Sequence, residues 1–214
     1  FPPGVHVSRA LAAVSGCSSI QIGCQNISKT GEGAFTGETS VGIVEDLGMQ
    51  WCLIGQSERR SLYKETDADT AGKVAKVLDA GMTAMLCIGE TADERTAGKT
   101  AEVCQQQLLA VMDKVTDWSK VVIAYDPLWA IGTGAVATPL QAQEAHHQIR
   151  QFVTEKMGKA IADALRIYYG GAVDEEHCKA FAKLPDVDGF LLGGASTKPT
   201  FTKTIGVAQE FIWI

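Results

Sequence analysis

Val121-Val-Ile-Ala-Tyr-Asp-Pro-Leu-Trp-Ala-Ile-Gly-Thr-Gly134 is the stretch that decides the fold, because it joins an apolar run to a polar strand end and a loop. Residues 121–124 are continuously apolar, which predicts a strand buried on both faces. Asp126 stands where this strand ends, and Pro127 restricts the backbone of the exit. Gly132 gives the far end of the loop a permissive backbone. We therefore predict an apolar lid that closes over Asp126 and keeps water from a small site.

Other short apolar runs follow the same pattern, with longer amphipathic stretches between them. Strands that alternate with helices predict β-α units around a parallel sheet. The predicted strands are Ile20–Cys24, Trp51–Ile54, Ala84–Ile88, Val121–Tyr125, Arg166–Tyr169 and Gly189–Leu192. The predicted helices are Ala68–Ala80, Thr100–Val115, Thr138–Met157 and Glu175–Lys183. No linker divides this pattern, so we expect one domain over residues 1–214.

The composition argues against several classes of partner. With 214 residues, of which 46% are hydrophobic and 21% charged, the chain suits one globular domain. Its net charge of −6 disfavours a surface that binds nucleic acid or anionic membranes. No apolar run reaches the length of a transmembrane helix. We therefore expect neither nucleic acid nor a membrane as a partner.

The six cysteines form no C-x-x-C pair and show no zinc-type spacing. Cys24, Cys52 and Cys87 fall in predicted strands, where a cysteine behaves as a small core hydrophobe. A reducing intracellular compartment fits this pattern, and we expect the cytoplasm.

Two glycine pairs follow predicted strands and precede helical stretches. At Gly170-Gly171 and Gly193-Gly194, backbone amides without side chains can converge on an anion. Tight strand-to-helix turns would produce the same pattern, so both interpretations are open for either pair alone. Polar segments after parallel strands meet at the carboxyl edge of the sheet, where α/β proteins bind ligands. Together with the predicted lid beside Asp126, the two pairs favour a phosphate site.

Other short motifs predict neither a nucleotide site nor a metal site. Ala97-Gly-Lys-Thr100 ends like a P-loop, but Asp93 stands where that motif needs its first glycine. His146 and His147 are adjacent, so they point in different directions from one helix, and we predict a solvated helix face. Ser57 lacks the full motif of a nucleophile elbow and is interpreted as a helix cap.

Beyond these patterns, the chain closely resembles triosephosphate isomerases. The matching segments run in the family's order across essentially the whole chain, and they are Gln25-Asn26, Gly33–Ser40, Gly55–Arg60, Cys87–Glu90, Asp126–Gly134, Tyr169–Gly171 and Asp188–Ser196. The resemblance implies an α/β fold, the triosephosphate-isomerase-type (β/α)8 barrel. It also implies interconversion of dihydroxyacetone phosphate and glyceraldehyde 3-phosphate, a step of glycolysis and gluconeogenesis, through an enediolate and without a cofactor.

The family's known roles can be carried over to the matching positions. A glutamate before the lid abstracts the proton, a histidine polarises the carbonyl, and glycine-rich loops hold the phosphate. The resemblance therefore implies the catalytic candidates Asp126, Gln56 and Glu58. The candidates for binding the substrate phosphate are Gly132, Ala172, Gly193 and Gly194. The lid candidates are Pro127, Leu128, Trp129, Ala130, Ile131, Gly132 and Thr133.

Several of these positions depart from the family's residues. Asp126 replaces the glutamate, which retracts the carboxylate by about 1.5 Å, the length of one C–C bond. A misplacement of about 1 Å can lower a rate by about a hundredfold. Gln56 replaces the histidine; its amide still donates a hydrogen bond but cannot exchange a proton near neutral pH. Ala172 replaces a serine whose hydroxyl helps the closed lid.

Phe1-Pro-Pro matches the segment that follows the family's second strand. We therefore expect this barrel to lack its first β-α-β segment, which carries the family's catalytic lysine. Open sheet edges expose unpaired backbone, so residues outside this sequence or a partner chain would have to cover the gap. The segment Lys29–Glu38 matches the loop through which family members dimerise. We expect either a homodimer through this loop or a partner chain over the missing strands.

Two functional hypotheses follow from the resemblance. In the first, the chain is a catalytically impaired homologue that serves as a scaffold, or as a subunit that binds a small phosphorylated triose or a phosphate-like anion. In the second, it is an active isomerase in which Asp126 is the base, Gln56 donates the hydrogen bond, and residues outside this sequence supply the lysine. The clustered substitutions favour the first hypothesis, because a fold alone does not establish an activity.

Overall fold

The computed structural model describes three stretches of the chain, residues 1–130, 137–173 and 177–211. Strands and helices alternate along these stretches, as the apolar pattern predicts. The chain divides into two compact units. The first unit comprises Phe1–Leu86 and Leu109–Val121, and the second comprises Cys87–Leu108 and Val122–Ile214. The expectation of one domain over residues 1–214 stays a prediction.

The described residues form six strands and ten α-helices. The strands are β1 (Gly23–Cys24), β2 (Trp51–Ile54), β3 (Thr83–Ile88), β4 (Val121–Tyr125), β5 (Arg166–Tyr169) and β6 (Gly189–Phe190). The α-helices are α1 (Val7–Ala13), α2 (Val41–Asp46), α3 (Ser57–Ser61), α4 (Asp67–Asp79), α5 (Ala92–Thr96), α6 (Thr100–Met112), α7 (Pro139–Met157), α8 (Lys159–Ala164), α9 (Cys178–Ala182) and α10 (Phe201–Phe211). Short 3₁₀-helices lie at Gly4–His6, Trp118–Lys120, Leu128–Ala130 and Gly194–Thr197.

In the first unit, β1, β2 and β3 are parallel neighbours. Cys24 is the register partner of Cys52, and Ile54 is the register partner of Leu86. The side chains of Cys52, Ile54 and Leu86 are fully buried. Burial of strand positions on both faces explains why the sequence is apolar without alternation there.

In the second unit, β4, β5 and β6 are parallel neighbours. Tyr125 at the end of β4 pairs with Tyr169 at the end of β5, which in turn pairs with Phe190 of β6. Helix α7 begins with Pro139, whose missing N–H group would have had no partner within the helix. The helix ends at Gly158, which has a φ of 90°, a conformation that favours glycine. The sequence therefore marks both ends of the longest helix in this unit.

Arg150 links α7 to the segments on either side of β5. Its guanidinium donates to Asp186 Oδ1 and Asp188 Oδ2, each at 2.7 Å. It also donates to the carbonyl oxygens of Ala162 at 2.7 Å and Leu165 at 2.9 Å. One side chain thus satisfies backbone and carboxylate acceptors from two segments that are distant in the sequence.

His146 of α7 corrects the prediction of a solvated helix face, because its side chain is fully buried. Its Nδ1 lies 3.0 Å from the carbonyl oxygen of Asp186, and the rings of Tyr125 and Tyr169 lie beside it. Burial lowers the pKa of His146 from its ordinary 6.5 to about 4. The adjacent His147 is half exposed, as predicted, with 54% of its side chain accessible.

The buried His146 predicts a loss of stability in acid. It is neutral in the fold, whereas the unfolded chain binds a proton as the pH falls below about 6.5. The free energy of unfolding should therefore fall by about 1.4 kcal/mol per pH unit from about pH 6.5 downward, until the pH reaches the lower pKa of the folded state. Urea unfolding measures the free energy of unfolding at pH 7.5 and at pH 5. Between these pH values it should fall by about 2 kcal/mol less in His146→Gln than in the native chain. The exposed His6→Gln should keep the native pH dependence; an unchanged dependence in His146→Gln would contradict the prediction.

The predicted strands are confirmed, and the differences lie at their ends. Pairing of β1 begins at Gly23 rather than at Ile20, since an apolar run extends beyond the residues that hydrogen-bond to a neighbouring strand. Cys24, Cys52 and Cys87 are buried, as predicted. The predicted helices correspond to α4, α6, α7 and α9; the segment predicted from Glu175 is described as a helix from Cys178, and residues 174–176 lie outside the described part. The pattern does not predict α1, α2, α3, α5 and α8, because helices of five to seven residues are too short to show a helical period, nor does it predict α10.

Candidate functional site

The carboxyl ends of β4, β5 and β6 bring several predicted site residues to one edge of the second unit. The register pairs Tyr125 of β4 with Tyr169 of β5, and Tyr169 with β6. The segments that follow these strands therefore begin side by side. Asp126, Ala172 and the pair Gly193-Gly194 all lie within four residues of these strand ends.

Asp126 is a buried carboxylate whose backbone is held from both sides. Only 4% of the residue is exposed. Its N–H group donates to the carbonyl oxygen of Ile88 at 2.7 Å, and the preceding carbonyl of Tyr125 accepts from Gly170 N–H at 2.7 Å. Gly89 and Gly170 also pack against it: a Cβ on Gly89 would lie 2.3 Å from the Asp126 carbonyl oxygen, and one on Gly170 would lie 3.3 Å from its Cα. The peptide at residue 126 therefore has little freedom to move.

Glu90 organises the chain where it leaves β4. The fully buried Glu90 accepts hydrogen bonds from Tyr125 Oη at 2.9 and 3.0 Å and from Trp129 Nε1 at 3.0 Å. Arg95 Nη1 lies 3.1 Å and Thr100 Oγ1 lies 3.0 Å from Glu90 Oε1. Burial, and then the charge of Glu90, raises the pKa of the Tyr125 hydroxyl, which therefore stays protonated and donates. Glu90 thus anchors the first turn of the predicted lid.

The sequence pattern does not single out Glu90 as a site residue. It lies two residues after β3, in one of the polar segments that follow the predicted strands, but it is not among the predicted site residues. A carboxylate two residues after a largely apolar strand was the available signal, since such a group needs buried donors. Those donors come from Tyr125 and Trp129, whose contact with Glu90 the local sequence does not show.

The predicted lid is described only in part. Leu128–Ala130 forms a 3₁₀-helix, in which Ala130 is buried and Leu128 and Trp129 are half-buried. Pro127 is buried between this turn and Asp126. The guanidinium carbon of Arg95 lies 4.4 Å from the centre of the Trp129 ring, a cation–π contact. The remaining lid candidates lie outside the described residues, and they are Ile131, Gly132 and Thr133.

The two glycine pairs have different surroundings. A Cβ on Gly171 would lie 2.1 Å from Tyr169 Oη, and one on Gly170 would lie 3.1 Å from the Tyr125 carbonyl oxygen. Packing therefore disfavours a side chain at both positions, most strongly at Gly171. At Gly193 and Gly194, by contrast, a Cβ would meet no described heavy atom within 4 Å. Both are exposed, so their backbone borders open space into which an anion fits, and Ala172 is likewise exposed.

The other catalytic candidates, Gln56 and Glu58, lie in the first unit, after β2. Gln56 is half-buried, and its carbonyl oxygen accepts from Arg59 N–H at 2.9 Å and from Arg60 N–H at 3.2 Å. Gln56 itself occupies the cap position of α3, so the interpretation of Ser57 as the cap is wrong by one residue. The Ser57 hydroxyl instead donates to Glu58 Oε2 at 3.2 Å, and Glu58 is exposed.

The part of the chain that the structure describes contains neither a cluster of metal ligands nor a membrane-spanning helix. Within it, no three His, Cys, Asp or Glu side chains converge as a metal ion would require. Within it, too, no helix combines the length and apolarity needed to span a lipid bilayer.

Comparison with known proteins connects these residues to one family. The family model described as Triosephosphate isomerase matches residues 1–208 of the chain. A triosephosphate isomerase of Zygosaccharomyces bailii is 48% identical over 204 residues, which are 95% of this chain and 82% of that relative. The matched region contains every predicted catalytic, phosphate-binding and lid position.

Proposed function

Because the chain belongs to the triosephosphate isomerase family, we propose that it is a family member with strongly reduced isomerase turnover that binds a small phosphorylated triose or a phosphate-like anion. In this role it serves as a scaffold or a ligand-binding subunit. We place it in the cytoplasm, since the described residues hold six cysteines and no disulfide, as suits a reducing compartment.

The restrained backbone at Asp126 carries this proposal. An aspartate could replace the family's glutamate without loss only if the chain moved about 1.5 Å toward the substrate. The 2.7 Å hydrogen bonds from Asp126 to Ile88 and from Gly170 to Tyr125 oppose such a shift. The close packing of Gly89 against the Asp126 carbonyl opposes it as well. The carboxylate therefore remains retracted, and a base misplaced by about 1 Å loses about a hundredfold in rate.

Gln56, which replaces the family's histidine, lowers the proposed turnover a second time. Its amide donates a hydrogen bond to a substrate carbonyl as a neutral imidazole does, but it supplies no proton that exchanges near neutral pH. The N–H groups of Arg59 and Arg60 donate to the Gln56 carbonyl oxygen and restrain the backbone of Gln56 at the start of α3. The carbonyl would be bound and polarised without proton transfer.

The exposed backbone at Gly193 and Gly194 supports the binding part of the proposal. Neither packing nor a left-handed φ requires glycine there, because the space beside both Cα atoms is open and neither has a positive φ. Glycine at such positions lets backbone N–H groups approach a phosphate closely. Retention of these glycines beside altered catalytic residues is what a binding protein descended from an isomerase requires.

A coupled assay of glyceraldehyde 3-phosphate isomerisation tests the proposal. The kcat of the native chain should exceed that of Asp126→Asn by less than about tenfold, because a well-placed general base contributes about 10²–10⁴-fold and this one is misplaced. Calorimetric titration with glycerol 3-phosphate should still give a Kd of about 1 mM or tighter. A native kcat that exceeds the Asp126→Asn value by more than a hundredfold would overturn the catalytic part, and an absence of binding would overturn the ligand part.

The second candidate function is an active isomerase, and the network around Glu90 favours it. Glu90, Tyr125 and Trp129 hold the first turn of the lid in place, and a chain without catalysis has no need of a lid. In this alternative Asp126 is the base, Gln56 donates the hydrogen bond, and residues outside this sequence supply the lysine. The same assay separates the two candidates, because only the alternative requires a large difference between the native chain and Asp126→Asn.

We also propose that the chain forms a homodimer through Lys29–Glu38, in preference to binding a different partner chain. Every residue of this segment except Thr30 is exposed, and Phe35 on it is 45% exposed. Ser28 N–H donates to the Thr39 carbonyl at 2.8 Å, which closes the base of the segment. An aromatic side chain on a closed, protruding loop is a suitable anchor for a protein interface.

Light scattering during size-exclusion chromatography tests the dimer. The native chain should elute with twice its monomer mass of 22.8 kDa, and Phe35→Asp should shift it to the monomer mass. Val5→Asp alters a residue that is 86% exposed and lies outside the loop, so it should leave the dimer intact. A native monomer, or a dimer that Phe35→Asp does not weaken, would contradict the proposal.

A further inference from the structure

Two cysteines outside the candidate site lie in contact in the first unit. Cys24 of β1 and Cys52 of β2 are register partners in parallel strands, so their side chains share one face. Their Sγ atoms are 3.1 Å apart. Both residues are buried, with 6% of Cys24 and none of Cys52 exposed.

This placement satisfies the geometry of a disulfide. Neighbouring strands lie about 4.8 Å apart, and disulfides join Cα atoms that are about 4.4–6.8 Å apart. The two Sγ atoms have to approach from 3.1 Å to about 2.0 Å. Rotation of the two side chains brings the Sγ atoms closer, and the Cβ atoms have to lie about 3.5–4.5 Å apart in the disulfide.

We propose that Cys24 and Cys52 form a reversible disulfide in response to a hydroperoxide, so that β1 and β2 carry a redox-dependent cross-link. This inference concerns a modification site and does not depend on whether the chain catalyses isomerisation.

The reaction balances with the peroxide as the only oxidant. The Cys24 thiolate attacks one peroxide oxygen, the O–O bond breaks, and the departing hydroxide takes up the thiol proton to form water. Cys24 is then a sulfenic acid. Cys52 Sγ attacks the Cys24 sulfur, the S–O bond breaks, and the hydroxide leaves with the Cys52 proton as a second water. Two thiols lose two electrons, and one hydrogen peroxide is reduced to two waters.

The surroundings assign the two roles. Cys24 lines a cavity of about 480 Å³, whereas Cys52 does not, so a molecule as small as hydrogen peroxide reaches Cys24 first. In the neutral pair, Cys24 Sγ donates to Cys52 Sγ. When Cys24 is ionised, the Cys52 thiol donates to the thiolate instead, which lowers the pKa of Cys24. The same hydrogen bond, together with burial, raises the pKa of Cys52. Cys24 is therefore the attacking thiolate, and Cys52 is the thiol that resolves the sulfenic acid.

A cross-link between Cys24 and Cys52 would lie close in sequence to Gln56, one of the catalytic candidates. Cys52 precedes Gln56 by four residues, and Gln25 directly follows Cys24. A covalent link between these strands restrains the segment that leads from β2 to Gln56.

Peptide mapping tests the cross-link. Trypsin cleavage after Lys29 places Cys24 and Cys52 in different peptides, but Cys17 shares the peptide of Cys24. The experiment therefore uses the Cys17→Ser chain, which removes an exposed thiol. After treatment with hydrogen peroxide and alkylation, digestion without reductant should yield the Cys24 and Cys52 peptides linked, at a mass two hydrogens below their sum. Dithiothreitol should separate them again.

Three controls decide whether the folded geometry is responsible. Folded protein should yield at least tenfold more of the linked peptide than protein oxidised in concentrated urea. Cys52→Ser, in the same background, should leave Cys24 as a sulfenic acid that dimedone traps. Cys104→Ser removes a buried cysteine in α6 and should not change the yield. Equal yields in folded and unfolded protein, or oxidation of Cys24 without linkage to Cys52, would overturn the proposal.

Discussion

The double substitution Asp126→Glu with Gln56→His is expected to raise the kcat for glyceraldehyde 3-phosphate by at least about a hundredfold. The glutamate extends the carboxylate by about 1.5 Å from a backbone that cannot itself advance. The imidazole restores a group that exchanges protons near neutral pH. Each change addresses a separate proposed catalytic step, and the effects of the two changes need not add. A coupled assay at saturating substrate measures the combined effect.

Matched variants separate this gain from a general effect of the substitutions. Asp113→Glu lengthens an exposed carboxylate outside the candidate site and should leave the kcat unchanged. Gln56→His alone should raise the kcat less than the double variant does, because the shorter carboxylate of Asp126 remains. If the double variant turns over no faster than the native chain, Asp126 and Gln56 do not limit its turnover, and the proposed function loses its physical basis.

Arg150→Met is expected to lower the free energy of unfolding by about 3–5 kcal/mol, because it removes one partner of a buried charge network. The guanidinium donates to Asp186 and Asp188 and to the carbonyl oxygens of Ala162 and Leu165. Only 17% of the Arg150 side chain is exposed, so water does not replace these donors. Methionine retains much of the arginine's apolar length, and the loss therefore reports on the hydrogen bonds rather than on a cavity.

Urea unfolding followed by circular dichroism measures this loss. The matched control is Arg166→Met, since Arg166 is exposed at the start of β5. That substitution should change the free energy of unfolding by less than about 0.5 kcal/mol. A loss below about 1 kcal/mol in Arg150→Met would show that the network contributes no more than an exposed ion pair.

Much of the fold could be predicted from local pattern. The runs Trp51–Ile54 and Val121–Tyr125 predict β2 and β4 to the residue, because burial on both faces leaves no polar position within the strand. The long helix α7 is predicted to within one residue as Thr138–Met157, and in the structure Thr138 and Gly158 are its caps. Helices such as α3 and α5 are not predicted, because five residues make little more than one turn and show no periodicity.

The residues of the candidate site could be predicted from the sequence, but the restraint on the Asp126 backbone could not. The family segments predict Asp126 and Gln56 and show that both depart from the family's residues. Whether the backbone compensates for the shorter side chain depends on Ile88, Gly89 and Gly170, which reach Asp126 from neighbouring strand ends. The role of Glu90 was not predicted for the same reason, since two of its donors, Tyr125 and Trp129, lie on a different strand and on the predicted lid.

By itself, the sequence determined the alternation of strands and helices and the family, and it predicted the candidate catalytic positions at which this chain departs from that family. These properties follow from the order of residues along the chain, because apolar runs, caps and matching segments are local. Only the tertiary structure decided that His146 is buried, that packing disfavours a side chain at Gly170-Gly171 but not at Gly193-Gly194, and that Cys24 touches Cys52. Each of these depends on contacts between residues far apart in the sequence, and a local pattern does not determine which distant residues meet.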